Sequence, residues 1–155
     1  MPIFLSSKET NNLKKKDDIK YFKKLFKNIF VINLKNEILK RKLISLKFKE
    51  IDINFSFFDA INGNDEPYLS EYNFYYKKPF NWRNSHYLEK KLKRKMIRSP
   101  GAYGYLKTWE RILCLAINKE LDNICVFDDD VLFDYEFHSK FNFFIKNIKD
   151  WSVIN

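Results

Sequence analysis

The spacing of apolar residues changes along the chain, and in the first half it predicts a strand, a helix and a second strand. Residues 28–34 form a short, almost continuously apolar run rich in β-branched residues, which is typical of a strand covered on both faces. Residues 37–48 follow with an apolar stripe at helical spacing: Leu39, Leu43 and Leu46. Residues 53–58 then alternate polar and apolar side chains, so the order predicts a parallel βαβ unit.

A long segment without a clear period separates this unit from the next helix. Residues 68–98 are aromatic and Lys-rich, follow a turn-rich stretch, and predict an irregular insert. Ser99 and Pro100 then have the order of an N-cap and a first helical residue, which predicts a helix from this point to about residue 118. Its predicted buried stripe consists of Tyr105, Trp109, Ile112, Leu113, Ala116 and Ile117.

The last part of the chain returns to short apolar runs. Residues 124–127 predict a strand that ends at three consecutive aspartates. Apolar residues at helical spacing over residues 137–148 predict another helix, and Trp151 begins what we interpret as a further strand. The pattern predicts an α/β domain over residues 28–155, with a mostly parallel sheet flanked by helices, preceded by a basic amphipathic segment over residues 1–27.

The composition narrows the function classes without choosing one. Lys and Arg number 29 against 20 Asp and Glu, which gives a formal net charge of +9. A basic surface can attract nucleic acid, anionic lipid or phosphorylated substrates. A chain biased toward Lys on solvated faces explains the same charge, and we favour that interpretation because no Arg-rich or aromatic-interleaved basic stripe is present. We therefore expect no nucleic-acid partner.

The remaining compositional features predict a cytoplasmic protein. The first residues are too short an apolar run for a signal peptide, and no later run approaches the length of a membrane span. Cys114 and Cys125 lie inside apolar runs and outside any Cys/His cluster, so we expect both to be buried and reduced.

The aspartates that end the third predicted strand are the main candidate for chemistry. In open α/β sheets, ligands bind beyond the carboxyl ends of the strands. Alternate side chains of an extended segment share a face, so Asp128 and Asp130 are expected to point together and Asp129 away. Two carboxylates on one face suit Mg²⁺ or Mn²⁺, which bridges carboxylates to a diphosphate. The alternative is a solvated strand end without a ligand.

Other chemistries fit the sequence less well. His86 and His138 are far apart and lack metal-ligand spacing, so each is interpreted as a surface or hydrogen-bonded histidine. The phosphate-loop, dinucleotide-binding and nucleophile-elbow motifs are missing. Gly101 and Gly104 open the predicted helix, where they could let backbone approach a phosphate or could serve close packing.

Four segments, taken in chain order, resemble glycosyltransferase family 25, which includes lipooligosaccharide and collagen galactosyltransferases. The segments are FVINL (30–34), FFDAING (57–63), GAYGYLKT (101–108) and VFDDDV (126–131). The resemblance implies a GT-A-like, Rossmann-related fold, a nucleotide-sugar donor such as a UDP-hexose, a divalent cation, and transfer to a glycan or lipid-linked glycan such as lipooligosaccharide. From the lack of a signal-peptide or membrane-span pattern we expect a cytoplasmic location, with peripheral contact at the inner face of the membrane.

The resemblance implies roles for residues that match the family's motifs. Asp128 and Asp130 match metal ligands. The matches to nucleotide-sugar-binding positions are Asn33, Leu34, Asp59, Ala60, Gly63 and Asp129. Apart from these matches, Arg41 and Lys107 are candidate phosphate contacts, with a solvated helix residue as the alternative for each, and Gly101 and Gly104 could let backbone approach a phosphate. No residue is identified as the catalytic base.

The chain departs from the family pattern at four positions. Tyr105 replaces the usual Cys, Thr108 the usual Ser, Trp109 the usual His, and Asp128 the usual Glu. Because family members usually continue beyond the segment matched here, a domain that lacks the acceptor-binding part is expected. An inactive, truncated relative is therefore one alternative. A basic module that binds nucleic acid or a membrane surface is the other.

Overall fold

The structure is a computed structural model that describes residues 19–77, 87–134 and 136–147. Helix α1 is described over residues 19–25. The elements that follow are β1 (Ile29–Asn33), α2 (Ile38–Glu50), β2 (Ser56–Asp59), α3 (Tyr68–Tyr75), α4 (Tyr87–Leu92), α5 (Pro100–Asn118), β3 (Cys125–Asp128) and α6 (Phe137–Asn147). No helix in these ranges combines the length and the apolar character that a membrane crossing requires.

The three strands form one open, all-parallel sheet in the order β2-β1-β3, flanked by helices. This confirms the predicted α/β class, which is consistent with a GT-A-like, Rossmann-type arrangement. Buried residues dominate β1, as expected for the central strand of such a sheet. The strand predicted from Trp151, the first 18 residues of the basic segment and His86 lie outside the described residues.

The chain divides into two compact units. Unit 1 contains the described residues up to Val31, then Ile38–Ser56, then those from Leu121 onward. Unit 2 contains Ile32–Glu37 and Phe57–Glu120.

The core of unit 1 is built largely from aromatic rings. Phe22 of α1 is fully buried, and its ring centroid lies 4.9 Å from that of Phe141 in α6. Phe48 of α2 is also fully buried and packs edge-on against Phe133 at 4.9 Å. Burial of such side chains, about 2–3 kcal/mol each by transfer free energy, holds the helices of this unit to its strands.

The sequence prediction for the buried face of α2 was wrong. The predicted stripe of Leu39, Leu43 and Leu46 is exposed by 75%, 61% and 58%. The helix instead buries Ile44 and Phe48, which lie four residues apart on the opposite face. Since α2 is apolar on both faces, periodicity alone cannot decide which face packs.

The end of α2 explains why β2 begins later than predicted. Asp52 adopts a positive φ of 54°, its N–H donates to Lys49 O at 3.2 Å, and the N–H of Ile53 donates to Phe48 O at 3.0 Å. This is the Schellman arrangement, and the buried side chains of Ile53 and Phe48 supply its apolar contact. Ile53 therefore belongs to the helix terminus, and the strand starts at Ser56 instead of residue 53.

Helix α5 of unit 2 begins as predicted but buries a different face. Ser99 accepts a hydrogen bond from Ala102 N at 3.1 Å, and Pro100 is the first helical residue. The buried residues are Tyr103, Gly104, Thr108 and Ile112. Of the predicted stripe only Ile112 is fully buried; Tyr105, Leu113 and Ile117 are exposed. The buried face includes a glycine and a threonine, which a search for large apolar residues overlooks.

Two further sequence predictions need correction. Residues 68–98 are not wholly irregular, because α3 and α4 lie within them; α3 packs against α5 in unit 2. Their aromatic and Lys-rich composition hides the short helical periods. Cys114 is exposed on α5, whereas Cys125 on β3 is partly buried. The prediction that Cys114 is buried was wrong because the sequence analysis placed the buried face of α5 on the wrong side of the helix.

Candidate functional site

The acidic triplet lies on a turn that directly follows β3 in unit 1. The strand ends at Asp128, and the N–H of Val131 donates to Asp128 O at 3.3 Å, so Asp129 and Asp130 form the centre of the turn. The rule that alternate side chains share a face applies to extended backbone and does not extend past Asp128. Asp128 and Asp130 are nevertheless both exposed, and Asp129 is less so. The turn therefore presents two carboxylates to solvent.

Lysines of α2 contact this turn, and the sequence prediction did not identify them. Lys40 Nζ lies 3.5 Å from the Asp129 carboxylate, and Lys47 Nζ donates to Val131 O at 3.0 Å. The two lysines are seven residues apart and so lie on one side of the helix. The spacing places both on one side of α2, but the sequence alone does not show that this side meets the turn. Together they hold the turn against α2 at both its centre and its end.

Arg41, a predicted phosphate contact, is half-buried on α2 in the same unit. Its carbonyl oxygen accepts a hydrogen bond from the Ser45 hydroxyl at 2.7 Å. His138 is buried in α6, and its Nε2 lies 2.9 Å from Ile51 O. Of the two alternatives that the sequence left open for His138, surface or hydrogen-bonded, the structure shows the hydrogen-bonded one.

The predicted residues of unit 2 lie at the ends of β1 and β2 and at the start of α5. Asn33 is buried at the end of β1, and its carbonyl oxygen accepts the N–H of Ala60 at 2.9 Å. Leu34 is half-buried and its carbonyl accepts the N–H of Glu37 at 3.0 Å. Asp59, which ends β2, is exposed. Among Asn33, Leu34 and Asp59, the charged and exposed side chain is therefore that of Asp59.

Thr108 joins the segment after β2 to α5. Its hydroxyl accepts the backbone N–H of Ile61 at 2.9 Å and donates to Gly104 O at 2.8 Å, and the residue is fully buried. This explains why Thr is acceptable where the resembling family usually has Ser. Both side chains carry the hydroxyl that satisfies a buried N–H, and a residue without it would leave that donor unpaired.

The glycines of unit 2 serve close backbone contact. A Cβ at Gly63 would overlap the carbonyl group of Pro100, and a Cβ at Gly104 would overlap the backbone of Ile61 and Gly63. Gly101 is exposed, and a Cβ there would meet only the Ser99 hydroxyl at ordinary contact distance, 3.8 Å. The structure thus gives Gly63 and Gly104 a packing role, and it leaves Gly101 accessible at the start of the helix.

Polar contacts also tie α5 to α3 and restrain Lys107. The Tyr103 hydroxyl donates to Glu71 at 2.7 Å, and burial together with this bond raises the pKa of the phenol well above its usual value. Lys107 Nζ donates to Glu110 at 2.6 Å, and that hydrogen bond raises the pKa of the ammonium. Trp109, at the position of the family's usual His, is half-buried with its ring centroid 6.3 Å from that of Tyr105.

The acidic turn could supply only part of the coordination shell of a metal ion. Across residues 19–77, 87–134 and 136–147, no three His, Cys, Asp or Glu side chains are grouped to hold a metal ion. The turn offers two exposed carboxylates, which are oxygen ligands of the type that Mg²⁺ takes together with water and substrate phosphates. Two carboxylates do not make an enclosed metal site, but Asp128 and Asp130 are the residues that could hold a Mg²⁺ or Mn²⁺ ion.

Comparison with known proteins agrees with the sequence motifs. No curated protein matches the chain. One family model, glycosyltransferase family 25 (LPS biosynthesis protein), matches residues 26–155. The match takes in all three strands of the sheet and the acidic turn, and leaves out only the first 25 residues. With its parallel sheet, its matching strand ends and a family match over most of its length, the chain belongs to glycosyltransferase family 25.

Proposed function

We propose that this protein transfers a hexose from a nucleotide-sugar donor, with a UDP-sugar as the expected class, to a glycan acceptor such as lipooligosaccharide. The observation that supports it best is the exposed carboxylate pair of Asp128 and Asp130, on a turn at the carboxyl end of β3, in a chain of this family. Ligands of open α/β sheets bind at such strand ends. The proposed location is the cytoplasm, at the inner face of the membrane, where a lipid-linked acceptor presents its glycan.

Asp128 and Asp130 are the proposed ligands of Mg²⁺ or Mn²⁺. When bound, such a cation would stabilise the negative charge that develops on the departing nucleoside diphosphate. Both carboxylates are exposed at the turn, so each could supply an oxygen ligand to such a cation.

Lys40 and Lys47 have a positioning role in this proposal. Lys40 approaches the carboxylate of Asp129, and Lys47 donates to the carbonyl of Val131, so both restrain the turn from α2. A turn already held in place loses less conformational freedom when it binds cation and diphosphate. Asp129 remains a proposed acceptor for a ribose or donor-sugar hydroxyl, with Lys40 setting the direction of its carboxylate.

The nucleoside contacts proposed in unit 2 are those that the family resemblance implies. Asp59 is the strongest of them because its carboxylate is exposed and can accept a hydroxyl hydrogen bond. Asn33, Leu34, Ala60 and Gly63 would contribute backbone groups and shape. Gly101 and Lys107 stay proposed phosphate contacts, whereas the close packing at Gly104 supports an indirect role.

The first experiment measures the melting temperature of the chain with UDP, with and without Mn²⁺. A ligand that binds only the folded state at about 100 times its Kd adds about 2.7 kcal/mol, which for a domain of this size raises the melting temperature by about 5 °C or more. We expect this rise only when Mn²⁺ is present. Asp128→Asn and Asp130→Asn should abolish it, while Asp122→Asn, an exposed aspartate before β3, should keep it.

A transfer assay then separates binding from catalysis. UDP release from UDP-hexoses with Mn²⁺, with and without a lipooligosaccharide acceptor, should depend on both carboxylates. A folded chain whose melting temperature shifts but which releases no UDP would be a nucleotide-binding, inactive relative. A folded chain that shows neither response would contradict the donor site proposed here.

A further inference from the structure

Helix α2 is apolar on the face that points away from the core of unit 1. Leu39, Leu43 and Leu46 follow one another at helical spacing and are exposed by 75%, 61% and 58%. Ile44 and Phe48 occupy the opposite face and are fully buried. The three leucines, named here the leucine face, form a contiguous exposed apolar stripe, and stripes of this kind mark interaction surfaces.

Lysines border the leucine face along the helix. Lys42 and Lys49 are exposed and lie seven residues apart, on one edge of the stripe, at positions four before and three after Leu46. Lys40 and Lys47 lie on the other edge, where they also contact the acidic turn. Glu50 is the only acidic residue in α2. The edge with Lys42 and Lys49 is therefore basic, while Lys40 and Lys47 on the other edge lie against the acidic turn.

We propose that the leucine face of α2 docks on a lipid surface with anionic headgroups. Leucines of an interfacial helix insert among the acyl chains, while long lysine side chains extend to the headgroup phosphates. Attraction between basic residues and anionic lipid adds to the binding and weakens with salt. This inference goes beyond the proposed transfer reaction, because lipid binding through α2 requires neither donor nor cation.

The charges favour a lipid surface over a second copy of the chain. A two-fold interface through the leucine face would place Lys42 and Lys49 of one copy against the same residues of the other, which is repulsive. Helix α5 provides a contrast within unit 2. It exposes Leu113 and Ile117 with Glu110 three residues before Leu113, and anionic headgroups would not favour that carboxylate.

The test uses the 155-residue chain in a vesicle sedimentation assay without donor or metal. Vesicles of phosphatidylcholine alone are compared with vesicles that contain phosphatidylglycerol. The leucine-face variant is Leu39→Ser with Leu43→Ser, and the matched control is Leu113→Ser with Ile117→Ser. Both variants replace two exposed apolar residues spaced four apart on a helix. Circular dichroism and melting temperature verify that each variant is folded.

We expect the chain to bind phosphatidylglycerol vesicles, and the leucine-face variant to bind about tenfold less or weaker still, with the control unchanged. Lys42→Glu with Lys49→Glu should also reduce binding, as should added salt. Failure of the chain to bind phosphatidylglycerol vesicles would overturn the proposal. So would equal binding by the leucine-face variant and the control, or a dimer that only the leucine-face substitutions dissociate. These results bear on the proposed membrane location but not on UDP binding or transfer, so lipid docking and the transfer reaction fail independently.

Discussion

The hydroxyl of Thr108 accepts the backbone N–H of Ile61 at 2.9 Å and donates to Gly104 O at 2.8 Å, entirely inside unit 2. A buried donor that loses its acceptor costs about 1–3 kcal/mol. We expect Thr108→Val, which keeps the shape and removes the hydroxyl, to lower the free energy of unfolding by that amount. Thr108→Ser keeps the hydroxyl and should lose less. Equal losses for the two variants in urea denaturation would mean that the hydrogen bonds contribute nothing.

The glycines of unit 2 should respond unequally to alanine. At Gly63 and Gly104 the new methyl group would overlap backbone atoms, which cannot move aside as a flexible side chain can. We expect each substitution to destabilise the protein by about 1–3 kcal/mol, the usual range for overpacking. Gly101→Ala is the matched control because its site is open and helical, and it should stabilise by up to about 1 kcal/mol. Thermal unfolding of the three variants measures the difference.

Substitutions at two adjacent residues of α2 should show which of its two apolar faces is buried. Ile44 is fully buried, so Ile44→Ala should cost about 2–5 kcal/mol through lost burial and the cavity left behind. Leu43 is 61% exposed, and Leu43→Ala should change stability by no more than about 0.5 kcal/mol. The comparison is made by chemical denaturation in the absence of lipid. A large loss at Leu43 with none at Ile44 would return the helix to the orientation that its sequence suggested.

The two cysteines should differ in reactivity. Cys114 is exposed, whereas burial on β3 raises the pKa of the Cys125 thiol to about 12. At neutral pH we expect the Cys114 thiol to react rapidly with a thiol reagent and the Cys125 thiol to react only when the protein unfolds. The Cys114→Ser variant should therefore lack the fast phase of the reaction. Rapid reaction of Cys125 in the folded Cys114→Ser variant would contradict this.

The same thiol affects stability at alkaline pH. The pKa of the Cys125 thiol is higher in the folded state than the value of about 8.5 in the unfolded chain. Below about pH 8.5 the thiol is neutral in both states, so it does not lower the free energy of unfolding there. As the pH rises from about 8.5 toward about 12, the free energy of unfolding falls, because the thiol can ionise in the unfolded chain but not in the folded one. Cys125→Ala should reduce the loss of stability in this range relative to the unmutated chain. An identical pH profile for both proteins would show that the thiol is not responsible.

The sequence by itself was sufficient for the three strands, for α2, α5 and α6, and for the acidic strand end, although it did not reveal α3 and α4. Short β-branched runs favour buried parallel strands, and Ser99 with Pro100 marks the start of α5, because these are local preferences of the backbone. The family motifs are likewise short segments that can be read from the sequence. The family match over residues 26–155 agrees with the resemblance that they indicated.

Only the tertiary structure decided which faces of the helices are buried and what holds the acidic turn. Helix α2 has apolar residues on both faces, so the periodicity of its sequence does not decide which face is buried. Ile44 and Phe48 are buried because that face packs against the aromatic rings of neighbouring elements. On α5 the buried face includes Gly104 and Thr108, selected for close backbone approach and for a hydroxyl instead of apolar size. The contact of Lys40 with Asp129 joins residues 89 positions apart, and such a pairing arises only when the chain folds.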